Sequence, residues 1–427
     1  MDKAGRTRRA YIVEALLEYM IALLVIDAFL AAILKQVGVS DAVTGIVSSF
    51  ISFACVAQLF SASLVRRGRS MRKMILILDL INQLMFASLY LTPFLPIPQG
   101  VKVGLFVVLI LGAYLILNTT FPLKYKWLNS FVNPGERGRF TARKEIVSLI
   151  GGMVFTLAMG CLVDHFKAIG QERTGFILCG VTLFVVAILH LVSLLLCSEA
   201  PEEAESAPKD TSLSAAFRLI AKSPDVRRLL VIDVLWKIAS YISTPYYGTY
   251  LIGELGFSLT FVSILHIAYS LVRAVFSPWF GRIGDRRGWA SLLTLGLVII
   301  AAGYLVNTFT TPAHRYLYVV YYTLYAVAMA SVNTSLCNMN YDYLDEAVFS
   351  EALGARNAIS GVIGFLASLL GGVIVGAIQG AGNRLFGIPV YAQQVNSLIA
   401  LVVVLALIVY MHTVIRRMPR RAESASR

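Results

Sequence analysis

Gly281-Arg282-Ile283-Gly284-Asp285-Arg286-Arg287-Gly288 is the stretch on which the reading of the fold turns. Apolar segments long enough to cross a bilayer flank it on both sides, Phe261 to Phe280 and Trp289 to Thr310. Glycines let two helices reverse sharply and pack closely, so the stretch reads as a short basic turn. Its arginines hold the turn at the cytoplasmic membrane surface.

Working outward, the whole chain has the composition of a membrane protein. Its 427 residues are 58% hydrophobic and 14% charged, against roughly 45–50% and about 25% in soluble domains. The net charge of +13 would suggest a nucleic-acid partner in a soluble protein. Here the basic residues lie between apolar segments and act as a topology signal, so no nucleic acid is expected. The five cysteines stand singly in apolar stretches, which indicates neither a disulfide framework nor a metal site. A bridge between Cys161 and Cys179 is a minor option. The N-terminus is basic and then apolar, like a signal peptide. Glu14 and Glu18 interrupt the apolar run and no small-residue cleavage site follows, so a retained first helix is expected.

Twelve segments are long and apolar enough to span: Tyr11–Leu34, Ala42–Val65, Met74–Leu95, Val101–Tyr125, Ile146–Val163, Gly175–Cys197, Leu229–Ile252, Phe261–Phe280, Ser291–Thr310, Tyr316–Asn340, Ala358–Ala377 and Ala392–Thr413. The longest break, Ser198 to Arg228, is acidic and carries prolines. It contains a short amphipathic stretch, Leu213–Ala221, suited to the membrane surface. The expected domains are therefore an N-terminal six-helix bundle (1–197), a cytoplasmic linker (198–228) and a C-terminal six-helix bundle (229–427). With both termini in the cytoplasm, 29 of the 37 Lys and Arg fall on that side and six outside. That is a strong positive-inside bias and places the chain in the cell membrane. Lys124, at the end of the fourth span, is counted with the cytoplasmic residues.

The halves repeat. Arg8-Arg9, Glu14 and Glu18 return 219 positions later as Arg227-Arg228, Asp233 and Lys237. Gly38-Val39-Ser40 returns as Gly256-Phe257-Ser258, Arg67-Gly68 as Arg287-Gly288, Asn118-Thr119-Thr120 as Asn333-Thr334-Ser335, and Ala142-Arg143 as Ala355-Arg356. Six spans per repeat give two parallel halves. With the Gly-x-x-x-Asp-Arg-x-Gly pattern at 281–288, the chain resembles the major facilitator superfamily of secondary transporters. That resemblance implies an all-α fold of twelve transmembrane helices in two pseudo-symmetric six-helix bundles around a central cavity, working by alternating access. The first-half loop departs from the family pattern, with Arg66 where the repeat has Asp285. No antiporter signature of the family is present.

Charges inside spans face a cavity or a partner. Glu14 and Glu18 are one turn apart on one face, and two carboxylates so placed can carry a proton; alternatively they pair with Lys124 or Lys126. Asp79, Asn82 and Gln83 share a face, suited to a cavity wall or to helix–helix hydrogen bonds. Asp233 and Lys237 are spaced for an in-helix ion pair. His266, Tyr269, Ser270 and Arg273 form one stripe, and Arg273 needs an acid (Glu14, Glu18 or Asp79) or an anionic ligand. Pro245 and Gly248 should break the seventh span. Tyr241, Tyr247 and Tyr325 are candidate cavity tyrosines, while Asn118, Thr119, Asn333, Thr334 and Asn338 offer uncharged hydrogen bonds. The resemblance implies a cytoplasmic gate of Arg66, Arg67, Gly68, Arg143, Gly281, Gly284, Asp285, Arg286, Gly288 and Arg356. In it Asp285 meets Arg143, and Arg66 meets the acidic segment Asp342, Asp345, Glu346 and Glu351.

The function expected is secondary active transport of a small organic solute, with proton-coupled uptake favoured. The alternatives are efflux of a drug, amphiphile or lipid, and a non-transporting membrane sensor or accessory protein. No nucleophile–base pair or metal-ligand set appears, so neither an enzyme, a metal nor a cofactor is expected. The expected partners are the solute, protons and the bilayer, and the expected state is a monomer.

Overall fold

The structure, a computed structural model, describes residues 3–60, 71–132, 136–198, 218, 220–344, 346–385 and 387–418. Helices occupy all twelve predicted positions. Among the described residues, eight are long and apolar enough to cross a membrane, and a ninth is the bent pair Ala4–Leu24 and Asp27–Val37. The chain divides into two compact units, Met1–Thr211 with Phe257–Ser263, and Ser212–Gly256 with Ile264–Arg427. Most of the predicted linker, including most of its amphipathic stretch, lies outside the described residues, as do Arg66, Arg67, Gly68 and Asp345.

In the first unit, α1 (Lys3–Leu24) and α2 (Asp27–Val37) meet at a 50° bend. α3 (Asp41–Ser48) and α4 (Phe50–Ala54) follow, then α5 (Met71–Ser88), α6 (Gln99–Asn129), α7 (Arg137–Ala168) and α8 (Glu172–Leu195). The bend leaves backbone carbonyls without helical partners, which is costly in hydrocarbon. Two buried tyrosines repair it: Tyr90 donates to the Leu24 carbonyl (2.6 Å) and Tyr114 to that of Val25 (3.1 Å). α1 packs on α7 and α8, and α5 on α6 and α8. Gly152 lets α7 approach α1, since a Cβ there would lie 2.6 Å from the Tyr19 ring.

In the second unit, α9 (Pro224–Tyr241) is capped by Ser223, whose side chain accepts from the Val226 N–H. Beyond Tyr241 the seventh span breaks as predicted. Thr244–Tyr246 is a 3-10 turn, Tyr247–Thr249 one helical turn, and Tyr250–Glu254 a π-helical turn. The freed Ser243 carbonyl accepts from the Gln393 amide (3.1 Å), and the Ala239 carbonyl from the Tyr304 hydroxyl (3.3 Å). α10 (Leu259–Arg287), α11 (Trp289–Asn307), α12 (Leu317–Tyr343), α13 (Glu346–Gly380) and α14 (Ala392–Thr413) complete the unit, with a two-residue-strand hairpin (Arg384–Leu385, Ile388–Pro389) before α14. α9 packs on α13 and α14, and α11 on α12 and α14.

The repeat has a structural meaning at two of its motifs. Gly38 and Gly256 both take positive φ (82° and 66°), which glycine adopts without strain. Two residues on, Ser40 and Ser258 each accept a backbone N–H with the side chain, from Val43 and Phe261, and so start the next helix.

The opening stretch corrects its own reading. Gly281 to Arg287 is not a turn; α10 continues through it, and the chain reverses only at Gly288, at φ 87°. Gly284 is the close-approach position, its open side filled by the Trp289 ring. Arg143 and Asp285 are both exposed. Cys161, exposed, and Cys179, buried, are both free thiols.

Candidate functional site

The charges of the first unit converge on one residue. Lys124 lies on α6, and its side chain is only 5% exposed. Its Nζ reaches three carboxylates on two other helices: Glu14 Oε1 at 2.9 Å, Glu18 Oε1 at 2.7 Å and Asp79 Oδ2 at 3.0 Å. A fifth group, His190 on α8, places Nε2 3.3 Å from Glu14 Oε1. The Thr120 hydroxyl donates to Asp79 Oδ1 at 3.5 Å. Glu14, Asp79 and His190 are at most 1% exposed, whereas the Glu18 side chain is 24% exposed. The cluster therefore has three acids to one lysine, and Glu18 is its contact with solvent. So the predicted Glu14–Glu18 pair is present, and Asp79 joins it.

Sequence reasoning names Lys124 only as an optional partner and does not name His190. Lys124 is also misplaced there among cytoplasmic residues; it is buried in the unit because three carboxylates bind it. The signal for His190 was a lone imidazole in the long apolar helix α8, which needs a buried partner. The expectation of no metal-ligand set also needs correcting. Ligand atoms of Glu14, Asp79 and His190 lie within 4.8 Å of one another, a group assembled from three helices that no local spacing reveals. The Lys124 ammonium already contacts two of the three and supplies the positive charge they need.

The neighbouring polar residues mostly bond helix to helix. Asn82 donates to the Ala113 carbonyl at 2.5 Å. Asn118 accepts from Gln58 (2.9 Å) and donates to the Tyr114 carbonyl (2.9 Å). Thr119, Thr334 and Asn338 turn back onto their own helices, bonding the carbonyls of Leu115, Ala330 and Thr334. Asn333 stays exposed.

In the second unit the predicted Asp233–Lys237 pair does not form. Asp233 Oδ2 is held instead by Arg356, at 2.7 Å from Nε and 2.6 Å from the second terminal nitrogen. Arg356 also donates to Asn340 Oδ1. A two-pronged guanidinium satisfies a carboxylate better than a lysine on the same helix can. Arg356 is 2% exposed, so the guanidinium expected at the cytoplasmic gate is buried against Asp233. Lys237 lies over the Tyr241 ring, 4.8 Å from its centroid. Arg273 lies over the Tyr269 ring at 5.4 Å. Among the described residues of the second unit neither cation forms an ion pair with a carboxylate.

The tyrosines form two groups. Tyr247 is buried, donating or accepting with Ser243 (3.1 Å) and accepting from Tyr321 (2.5 Å). It belongs to the packing of the broken helix. Tyr269, Tyr322 and Tyr325 are partly exposed and stack on one another, with His266 tilted against Tyr322.

Known proteins share this fold. The chain aligns over 95% of its length with 99% of a point mutant of the nucleoside transporter NupG, at TM-score 0.71 and 14% identity. It aligns over 96% with 96% of a bacterial homolog of the human lysosomal transporter Spinster, at TM-score 0.71 and 15% identity. A D-xylose–proton symporter is matched over 95% of this chain and 97% of its own, at TM-score 0.69 and 15% identity. No curated protein matches the sequence. The family described as MFS/sugar transport protein matches residues 13–416. With nearly the whole chain covered and the twelve-helix architecture in place, this protein belongs to the MFS/sugar transport protein family.

Proposed function

We propose that the protein is a secondary active transporter that moves a small organic solute across the cell membrane by alternating access, coupled to protons through the Glu14–Glu18–Asp79–Lys124–His190 cluster. In this reading residues 1–197 and 229–427 are the two halves, 198–228 is the cytoplasmic linker, and both termini are cytoplasmic. The observation that carries the coupling is the charge count of the cluster. Three carboxylates share one ammonium in a site that is nearly closed to water, and a buried surplus of negative charge favours taking up a proton. Glu18 is the partly exposed member through which a proton enters. A solved structure that shares this fold is described as a D-xylose–proton symporter, which supports coupling of this kind on this fold.

The experiment is uptake into liposomes holding purified protein, screened over sugars and nucleosides with and without an inward-acid pH gradient. Glu18→Gln keeps the shape of the side chain and removes its charge. The expected outcome is loss of gradient-driven accumulation with counterflow exchange retained. Accumulation by the variant at the wild-type level would remove Glu18 from the coupling.

A further inference from the structure

We propose that the second unit holds a site for an organic anion: Arg273 binds its carboxylate or phosphate oxygens, and the Tyr269–Tyr322–Tyr325 face packs against its ring-shaped body. This deepens the transporter reading and rests on it for the ligand's role as cargo.

Arg273 lies fourteen residues from each end of α10, about 21 Å from either end of the helix, so it sits within the span. A guanidinium keeps its charge at any physiological pH. An intramembrane charge is expensive unless it has a partner or faces water. Arg273 has no carboxylate partner among the described residues, and its Nε is buried with no hydrogen-bond acceptor. It is only partly buried overall, so part of the side chain is not covered by protein. Asp233, the acid of α9, is already taken by Arg356. Lys237 is a second cation within a span that has no carboxylate partner among the described residues. An anion arriving from solution is the partner this charge balance calls for.

The aromatic residues beside Arg273 give the rest of the ligand its shape. The Tyr269 ring lies beneath the guanidinium at 5.4 Å. It stacks within 32° of Tyr322 at 5.3 Å and within 28° of Tyr325 at 6.0 Å. Tyr322 and Tyr325 are 8° from parallel at 6.3 Å. Partly exposed faces of this kind suit the apolar face of a sugar ring, and the hydroxyls serve its polar edge. The chemical class is a ring compound with one acidic group, such as a hexuronate or a hexose phosphate.

The test uses full-length purified protein and three matched probes, glucose, glucuronate and glucose 6-phosphate, at constant ionic strength. At saturating concentration the matching anion should raise Tm by about 3 °C or more, and glucose should not. Glucuronate alone would identify a carboxylate ligand, and glucose 6-phosphate alone a phosphate. Arg273→Gln should abolish the shift while the unliganded Tm stays within about 2 °C of wild type, since no ion pair is broken. Arg273→Lys, the variant to use if the glutamine form does not fold, should weaken anion binding by about tenfold or more because a point charge replaces a fork. An equal shift with glucose, a shift that survives in Arg273→Gln, or no shift with either anion would overturn the site. Anion binding that depends on Arg273 without counterflow in liposomes would instead sink the transporter reading and leave the site standing.

Discussion

In the first unit one ammonium serves three carboxylates, whereas in the second one carboxylate serves one guanidinium while Lys237 and Arg273 rest on tyrosine rings. Both arrangements grow from the same repeated segment, with Glu14 and Glu18 at positions matched by Asp233 and Lys237. The first acid is ion-paired in each unit, Glu14 buried and Asp233 with its side chain 14% exposed. The second position has changed sign, and the charge balance of the unit has changed with it. On the proposals made above, the negative surplus is answered by a proton, which is small enough to reach a nearly closed cluster, and the positive surplus beside partly exposed aromatic faces by a larger anion. Coupling would then fall to one half of the chain and recognition to the other.

The variant that strains this comparison most is Lys124→Met. It leaves three carboxylates and a histidine in one buried site without their cation. Removing one member of a buried pair costs about 3–5 kcal/mol, and here a single change orphans three acids. The expected result is a fall in Tm large enough to compromise purification. Adding Glu14→Gln should recover part of the loss, because one fewer charge then needs a partner. A Lys124→Met protein as stable as wild type would mean the cluster is hydrated and not an ionic core.

Next is the single pair of the second unit. Arg356→Ala orphans only Asp233, so the loss should be smaller, about 3 kcal/mol. Asp233→Asn should cost less still, because Arg356 retains Asn340 and the new amide as acceptors. The double variant should be no worse than Arg356→Ala alone, and denaturant or thermal unfolding of the four proteins checks this. Strictly additive losses would show that the two side chains act independently.

Much of this was legible before any coordinates. Span positions, the broken seventh helix and the repeat all follow from apolar length, Pro245 with Gly248, and spaced motifs, since these are local properties. The bounds Ala392–Thr413 coincide with those of the helix itself. Partner choice was not legible, because it depends on which helices meet. Asp233 and Lys237 have ideal spacing for a pair, yet Arg356, 123 positions away, takes the acid. His190 gives no motif, and only the packing of α8 on α1 brings it to Glu14. The glycine-rich basic stretch misled for a related reason. Glycine permits a turn but does not demand one, and Gly281 and Gly284 serve a continuing helix while Gly288 alone makes the reversal.

Lys237→Met carries the smallest expected effect and the sharpest contrast with Lys124→Met. The two lysines are both in spans, both lose their charge in the substitution, and both keep much of their apolar length. Among the described residues Lys237 forms no ion pair and lies over the Tyr241 ring at 4.8 Å, a contact worth about 0.5–1 kcal/mol, or about 2 when fully desolvated. Against that stands the cost of a charge within a span, about 2.5–3.5 kcal/mol on insertion scales, part of which Lys237 avoids by being only partly buried. The two terms nearly cancel, and the net change should fall within about 1 kcal/mol of zero, leaning toward stabilisation. Thermal unfolding in the same detergent as Lys124→Met measures it directly. A loss as large as that of Lys124→Met would require a carboxylate partner for Lys237, and the positive charge left for an anion to answer would then fall to Arg273.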